Sequence, residues 1–323
     1  MEDWIKQYVN LYTMDGTELN GEEIDKAKLL KFDHMPSKFY KYREFDEGQY
    51  SIKNFEDDTI WMTTPSRYND PYDSAATITF GKKQIDNLKK TTIEMFKKNG
   101  NLELTEDDEK ILYEFKDMKS FRRYLMMKDK RSSEENIDVD ELNDAIENAI
   151  NKEFDRLNEQ LTESFQTSIL SCSFSEVNHS ILMWSHYAKY HTGFCIEYDF
   201  KQLGQNHHIT RMMLPIIYTD KLFDFTPYTQ DINKFNCLMS SYVTMEKSTE
   251  WQYEREWRLA ISWGPSAEPF AKPVPTPTAV YLGAKISAEN EKLIIDIAKK
   301  KSIPVYKMKM KSNEFKLISE KIA

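Results

Sequence analysis

Cysteine is scarce in this chain, with only Cys172, Cys195 and Cys237 among 323 residues. They are too few and too widely spaced for a disulfide framework or a paired Cys-x-x-Cys metal site, so reduced thiols are expected. Cys172 and Cys195 lie in short apolar stretches and are read as small core residues. Basic charge is also in deficit: 44 Lys and Arg stand against 53 Asp and Glu, a formal charge of −9 with a pI near 5.4. A generic nucleic-acid or anionic-membrane surface needs a basic footprint, which leaves room here only for a local basic pocket. No stretch of 18 consecutive apolar residues is present, and Met1-Glu2-Asp3-Trp4 lacks the basic start and apolar run of a secretory signal. The expectation is a cytoplasmic protein with no membrane partner. Internal repeats and low-complexity tracts are missing too.

What the chain does have is aromatic surface, with 18 Tyr, 18 Phe and 6 Trp. Most of these fill a core, and some are suited to stacking on a planar ligand. Short strand patterns recur at residues 38–43, 59–64, 168–174, 193–198, 214–218, 279–282, 304–310 and 314–318. Helical patterns fall at residues 2–12, 21–31, 180–190, 229–248 and 288–300, and five prolines between Gly264 and Pro277 suggest an extended loop. Residues 82–166 differ: Leu142, Ile146, Ile150, Phe154, Leu157, Leu161 and Phe165 form one apolar stripe at steps of three or four, set among charged and amide residues. The fold class expected is α+β, with a mixed, largely antiparallel sheet of about seven strands. Residues 1–81 and 167–323 supply that core domain, and 82–166 form a helical insertion able to dock a partner or self-associate.

The densest chemistry lies in Trp251-Gln252-Tyr253-Glu254-Arg255-Glu256-Trp257-Arg258. Read as a strand, it places Glu254, Glu256 and Arg258 on one face, with the carboxylates roughly 7 Å apart. The plain alternative is a half-buried strand with a solvated, charge-balanced face. Two close carboxylates should raise at least one pKa unless Arg255 or Arg258 neutralises them. In Met183-Trp184-Ser185-His186-Tyr187-Ala188, His186 is a candidate acid or base, or else a structural histidine. No His-Glu-x-x-His or Cys-His spacing supports a metal.

Taken together, Tyr40-Lys41-Tyr42-Arg43, Asn69-Asp70-Pro71-Tyr72-Asp73, the Met183–Ala188 segment with Gly193-Phe194-Cys195-Ile196, Tyr253-Glu254-Arg255-Glu256-Trp257-Arg258 and Tyr281-Leu282-Gly283 resemble a bacterial family known as a domain of unknown function. A second resemblance is to ADP-ribosyltransferases of the arginine-serine-glutamate type: Arg43, then Thr63-Thr64-Pro65-Ser66, then Glu254-Arg255-Glu256 follow the order of that motif, although Ser-Thr-Ser is not literally present. This resemblance implies NAD as substrate, consumed by a transferase or an NAD glycohydrolase, with a protein or nucleic acid as acceptor. In a bacterium such an activity suits a toxin or an anti-phage effector.

Under that implication Glu256 stabilises the oxocarbenium-like ribose and Glu254 orients or deprotonates the acceptor. Arg43 grips the pyrophosphate, Thr64 or Ser66 holds the ribose or amide side, and Tyr42 or Tyr68 stacks on nicotinamide. The structural alternatives are Arg43 paired with Glu44 or Asp46, and Ser66 capping a turn. Two other classes stay open. One is a hydrolase or nuclease using His186 with Asp70, Glu254 and Glu256; the other is a non-enzymatic sensor with an aromatic pocket.

Overall fold

In a computed structural model the described residues are 3–79, 82–98, 104–230, 234, 236, 238–265 and 267–323. Two compact units emerge. Met1–Ala76, Thr162–Phe223 and Asp231–Ala323 make the first; Thr77–Leu161 and Asp224–Gln230 make the second.

The first unit is built on an eight-stranded sheet. Its order from one edge is Leu317–Lys321, Val305–Met310, Ala279–Leu282, Phe194–Tyr198, Phe39–Arg43 (the opening strand), Ile169–Ser175 (the serine strand), Glu256–Ser262 (the glutamate strand) and Met213–Pro215. Within this sheet Ala279–Leu282 and Val305–Met310 run parallel and the other described pairs antiparallel, and the helix Ala288–Lys301 supplies the crossover such a parallel pair needs. The Ser287 hydroxyl caps that helix by accepting from the Asn290 N–H, and Lys299 to Lys301 complement its C-terminal dipole. The expected α+β class with a mixed, largely antiparallel sheet holds, with eight strands in place of about seven.

Strand alternation sorts the side chains onto two faces. Phe39, Leu170, Cys172, Phe174, Ile196, Trp257 and Leu259 enter the main core. Tyr42, Cys195, Ala279, Tyr281 and Met308 pack with Trp184 in a second cluster on the other face. Cys172 and Cys195 are buried free thiols, while Cys237 falls outside the described residues.

Local pattern misleads in two places. Expected helix over residues 229–248 is replaced at its end by a strand, Glu246–Ser248, which pairs in parallel with Ile217–Thr219. Residues 270–273, inside the expected proline-rich loop, pair with Thr59–Met62. In both cases a partner distant in sequence overrides the local signal.

The second unit holds the helices Lys82–Lys98, Glu106–Glu114, Met118–Lys128 and Lys130–Glu134, with most of the long helix Val139–Ser168. Ile93, Leu112, Phe121 and Leu125 form its core. Thr105 and Asp108 make a reciprocal capping box at the start of Glu106–Glu114. Among the described residues no helix is long and apolar enough to cross a membrane.

Candidate functional site

The opening strand pairs along its full length with Phe194–Tyr198 but meets the serine strand only at Tyr40, opposite Ser175. Beyond Tyr40 the two central strands part. Lys41 reaches into the gap, its Nζ donating to the Ser173 carbonyl at 2.6 Å, and so satisfies an acceptor that the sheet ladder leaves open. Farther along, Thr63 exchanges backbone hydrogen bonds with Ser171. The result is a cleft of about 200 Å³, with Lys41, Arg43, Ser171, Ser173, Glu254 and Glu256 in its polar lining and Trp61, Tyr68 and Tyr187 in its aromatic walls.

Glu254 does not lie on the glutamate strand. It ends the 3₁₀ segment Thr249–Glu254, and Arg255 turns the chain through left-handed backbone at φ 45° before the strand begins at Glu256. This corrects the expectation of a continuous strand face carrying both acids. They converge by another route: Lys247 Nζ donates to Glu254 Oε2 at 2.5 Å and to Glu256 Oε2 at 2.8 Å. Tyr187 Oη donates to Glu254 Oε1 at 2.5 Å. The Arg258 Nε donates to Glu256 Oε1 at 3.0 Å, while its two terminal nitrogens grip Asp73 in a bidentate pair at 2.8 Å each. Arg258 is 0% exposed and lies beneath the Tyr68 ring, 5.4 Å from its centroid.

Three carboxylates therefore face two cations in a buried chain of contacts. The two glutamates titrate in opposite directions. Burial raises the Glu254 pKa, and Lys247 only partly offsets it. Burial also opposes ionisation of Glu256, but Arg258 and then Lys247 outweigh it and hold that carboxyl well below the usual range. Arg255 plays no part in this balance, since its guanidinium pairs with Glu176 at 2.7 Å.

Arg43, Tyr42 and Tyr68 line the cleft with Glu254 and Glu256. The Tyr42 hydroxyl is already committed to the Val177 carbonyl at 2.7 Å, and that of Tyr68 shares a 2.8 Å bond with Ser171. Asp46 does not serve Arg43: its carboxylate accepts from the Tyr50 and Ser51 N–H groups. Thr64 and Ser66 bond each other at 2.9 Å and are not part of the cleft lining, where Ser171 and Ser173 stand in their place. His186 is exposed beside Tyr253 and likewise does not line the cleft. Asp70 is buried, accepts from the Tyr72 N–H and is also outside the lining. Sequence reasoning missed Lys247, which lay in an expected helix, and Asp73. The strand at 168–174 was expected but no role was given to its serines, and the alternation Ser171, Ser173, Ser175 was a signal that could have placed them on one face.

The segment holding Tyr187, Lys247 and both glutamates also matches a family model. Residues 183–259 match the model of a family described as a protein of unknown function (DUF2971). The expected likeness to a family of unknown function is thus met over that span, and Arg43, Thr64, Ser66 and Tyr68 lie before the DUF2971 match. No curated protein and no solved structure matches the chain.

Proposed function

We propose that the cleft binds NAD and breaks its nicotinamide–ribose bond, passing ADP-ribose to an acceptor or to water. One observation carries this reading: Arg43 and Lys41 line the same cleft as Glu254 and Glu256, so cationic and acidic groups face a single ligand space. NAD has matching polarity, an anionic pyrophosphate and a cationic nicotinamide ribose. Arg43, assisted by Lys41, is suited to the pyrophosphate, and Ser171 and Ser173 take over the ribose-holding role first given to Thr64 and Ser66.

Loss of nicotinamide builds positive charge on the ribose carbon, and preorganised negative charge stabilises it. Glu256, kept ionised by Arg258 and Lys247, is the fixed anion. Glu254, with its raised proton affinity, is fitted to take the proton of an incoming hydroxyl or amine. Trp61, Tyr68 and Tyr187 offer the flat surfaces that nicotinamide requires. The hydrolase reading built on His186 loses support because that histidine stands outside the cleft lining. Among the described residues no group of three or more His, Cys, Asp and Glu is placed to hold a metal ion.

The test is nicotinamide release from NAD by the purified protein, with products resolved by mass. Wild type should release nicotinamide, and Glu254→Gln should slow release by about 10²-fold or more, the usual worth of a positioned base. A folded wild-type protein that leaves NAD intact, alone and with protein or nucleic-acid acceptors, overturns the reading.

A further inference from the structure

A second cavity of about 410 Å³ lies beside the Met213–Pro215 edge strand, with Tyr8, Tyr12, Lys28, Lys31, His208 and Arg211 in its polar lining and Leu214 and Ala260 in its apolar wall. Among the described residues no carboxylate lines it. Lys31 sits in the helix Gly21–His34 and is 3% exposed, a degree of burial that lysine reaches rarely without a partner. Its Nζ donates to the Arg211 backbone carbonyl at 2.7 Å, and the charged side chains acting on it are Arg211 and Lys28, both of its own sign. Burial, reinforced by these two cations, lowers the Lys31 pKa to about 7. Asp25, on the solvent side, offsets Lys28 at 2.7 Å and acts also on Arg211. The Tyr8 hydroxyl, also buried in this wall, faces the Tyr12 hydroxyl and makes no hydrogen bond of normal geometry among the described residues.

A desolvated ammonium surrounded by like charge is costly by itself, and an anion is the ligand that removes the cost. Several cationic side chains grouped around one space match a doubly charged phosphate ester better than a single carboxylate. The tyrosine pair, with ring centroids 4.8 Å apart, and the aliphatic wall suit a flat, weakly polar body attached to that phosphate. We infer that this cavity is a binding site for a nucleoside monophosphate, distinct from the cleft. The inference does not rest on NAD chemistry.

The experiment is calorimetric titration of the full chain at neutral pH and low salt with AMP, GMP, CMP, UMP and inorganic phosphate. At least one nucleoside monophosphate should saturate a single site and bind more tightly than phosphate. The heat should vary with the buffer's ionisation enthalpy, because Lys31 takes up a proton as the anion enters. Lys31→Met and Arg211→Gln should each weaken binding by about 10- to 100-fold, the loss expected for a charge-assisted hydrogen bond. Glu254→Gln should bind unchanged, which separates this site from the cleft whether or not NAD is consumed. The proposal is overturned by saturable binding of none of the five titrants, by phosphate binding as tightly as every nucleotide, or by unchanged affinity in both cavity variants.

Discussion

Lys247 holds the charge balance of the cleft, since one ammonium serves both glutamates. Lys247→Met leaves two buried carboxylates facing each other without the ammonium that bridges them. Removing one partner of a buried ionic group typically costs about 3–5 kcal/mol, and urea unfolding should show a loss in that range. The glutamates also predict how activity follows pH. Glu256 has a depressed folded-state pKa, so its stabilising contribution is present above the unfolded carboxylate value and disappears as pH falls through the folded one. Glu254 runs the other way: its folded-state pKa is raised, so its contribution is full below the unfolded value and is lost as pH rises through the folded one. A base with that shift gives an acidic limb of the rate profile above the ordinary carboxylate range. Tyr187 stabilises the ionised form of Glu254 by donating to it. Tyr187→Phe should therefore move the acidic limb of NAD cleavage to higher pH; a limb that stays in place would remove Glu254 from the base role.

At the scale of elements, two glycines show why motifs far apart in sequence belong together. Gly193 opens the segment before Phe194–Tyr198, and Gly283 follows Ala279–Leu282; the Gly283 N–H donates to the Gly193 carbonyl at 2.9 Å. A Cβ on Gly283 would lie 2.1 Å from the His191 carbonyl oxygen and 2.8 Å from that of Gly193, both backbone atoms. Gly283→Ala should cost about 1–3 kcal/mol, as overpacking does, in denaturant unfolding. Gly21 has no atom within 4 Å of the same position, so Gly21→Ala serves as the matched control. Much of this layer was legible. Short apolar and aromatic runs at residues 38–43, 168–174 and 193–198 announced three adjacent strands of the sheet, each of which sends side chains into the main core. The 3₁₀ turn at Thr249–Glu254 was not, since Trp251 and Tyr253 give it a strand-like composition and nothing local marks the left-handed Arg255. The parting of the central strands was equally hidden, for register is a property of pairs and no single strand encodes it.

For the whole molecule, the acidic balance read from composition gives no hint that cations gather locally. Arg211 joins Lys28 and Lys31 around the second cavity only because the fold brings distant segments together, and Lys41 and Arg43, neighbours on the opening strand, meet Glu254 and Glu256 in the cleft for the same reason. The helical segment was a readable part of the chain, because an apolar stripe kept at steps of three or four over several turns has the period of a helix, and Val139–Ser168 is one. Its unit has a core of its own, centred on the fully buried Phe121 with Ile93, Leu112 and Leu125. All six tryptophans, Trp4, Trp61, Trp184, Trp251, Trp257 and Trp263, fall in the sheet-bearing unit. Tryptophan emission therefore follows the sheet unit, whereas far-ultraviolet dichroism follows both. Phe121→Ala removes a ring from the helical core at a cost of about 3–5 kcal/mol. If the two cores are separate cooperative units, the dichroism transition should broaden and begin at lower denaturant while the emission midpoint stays fixed. An emission midpoint that falls in step with the dichroism would mean that a single cooperative core spans the chain.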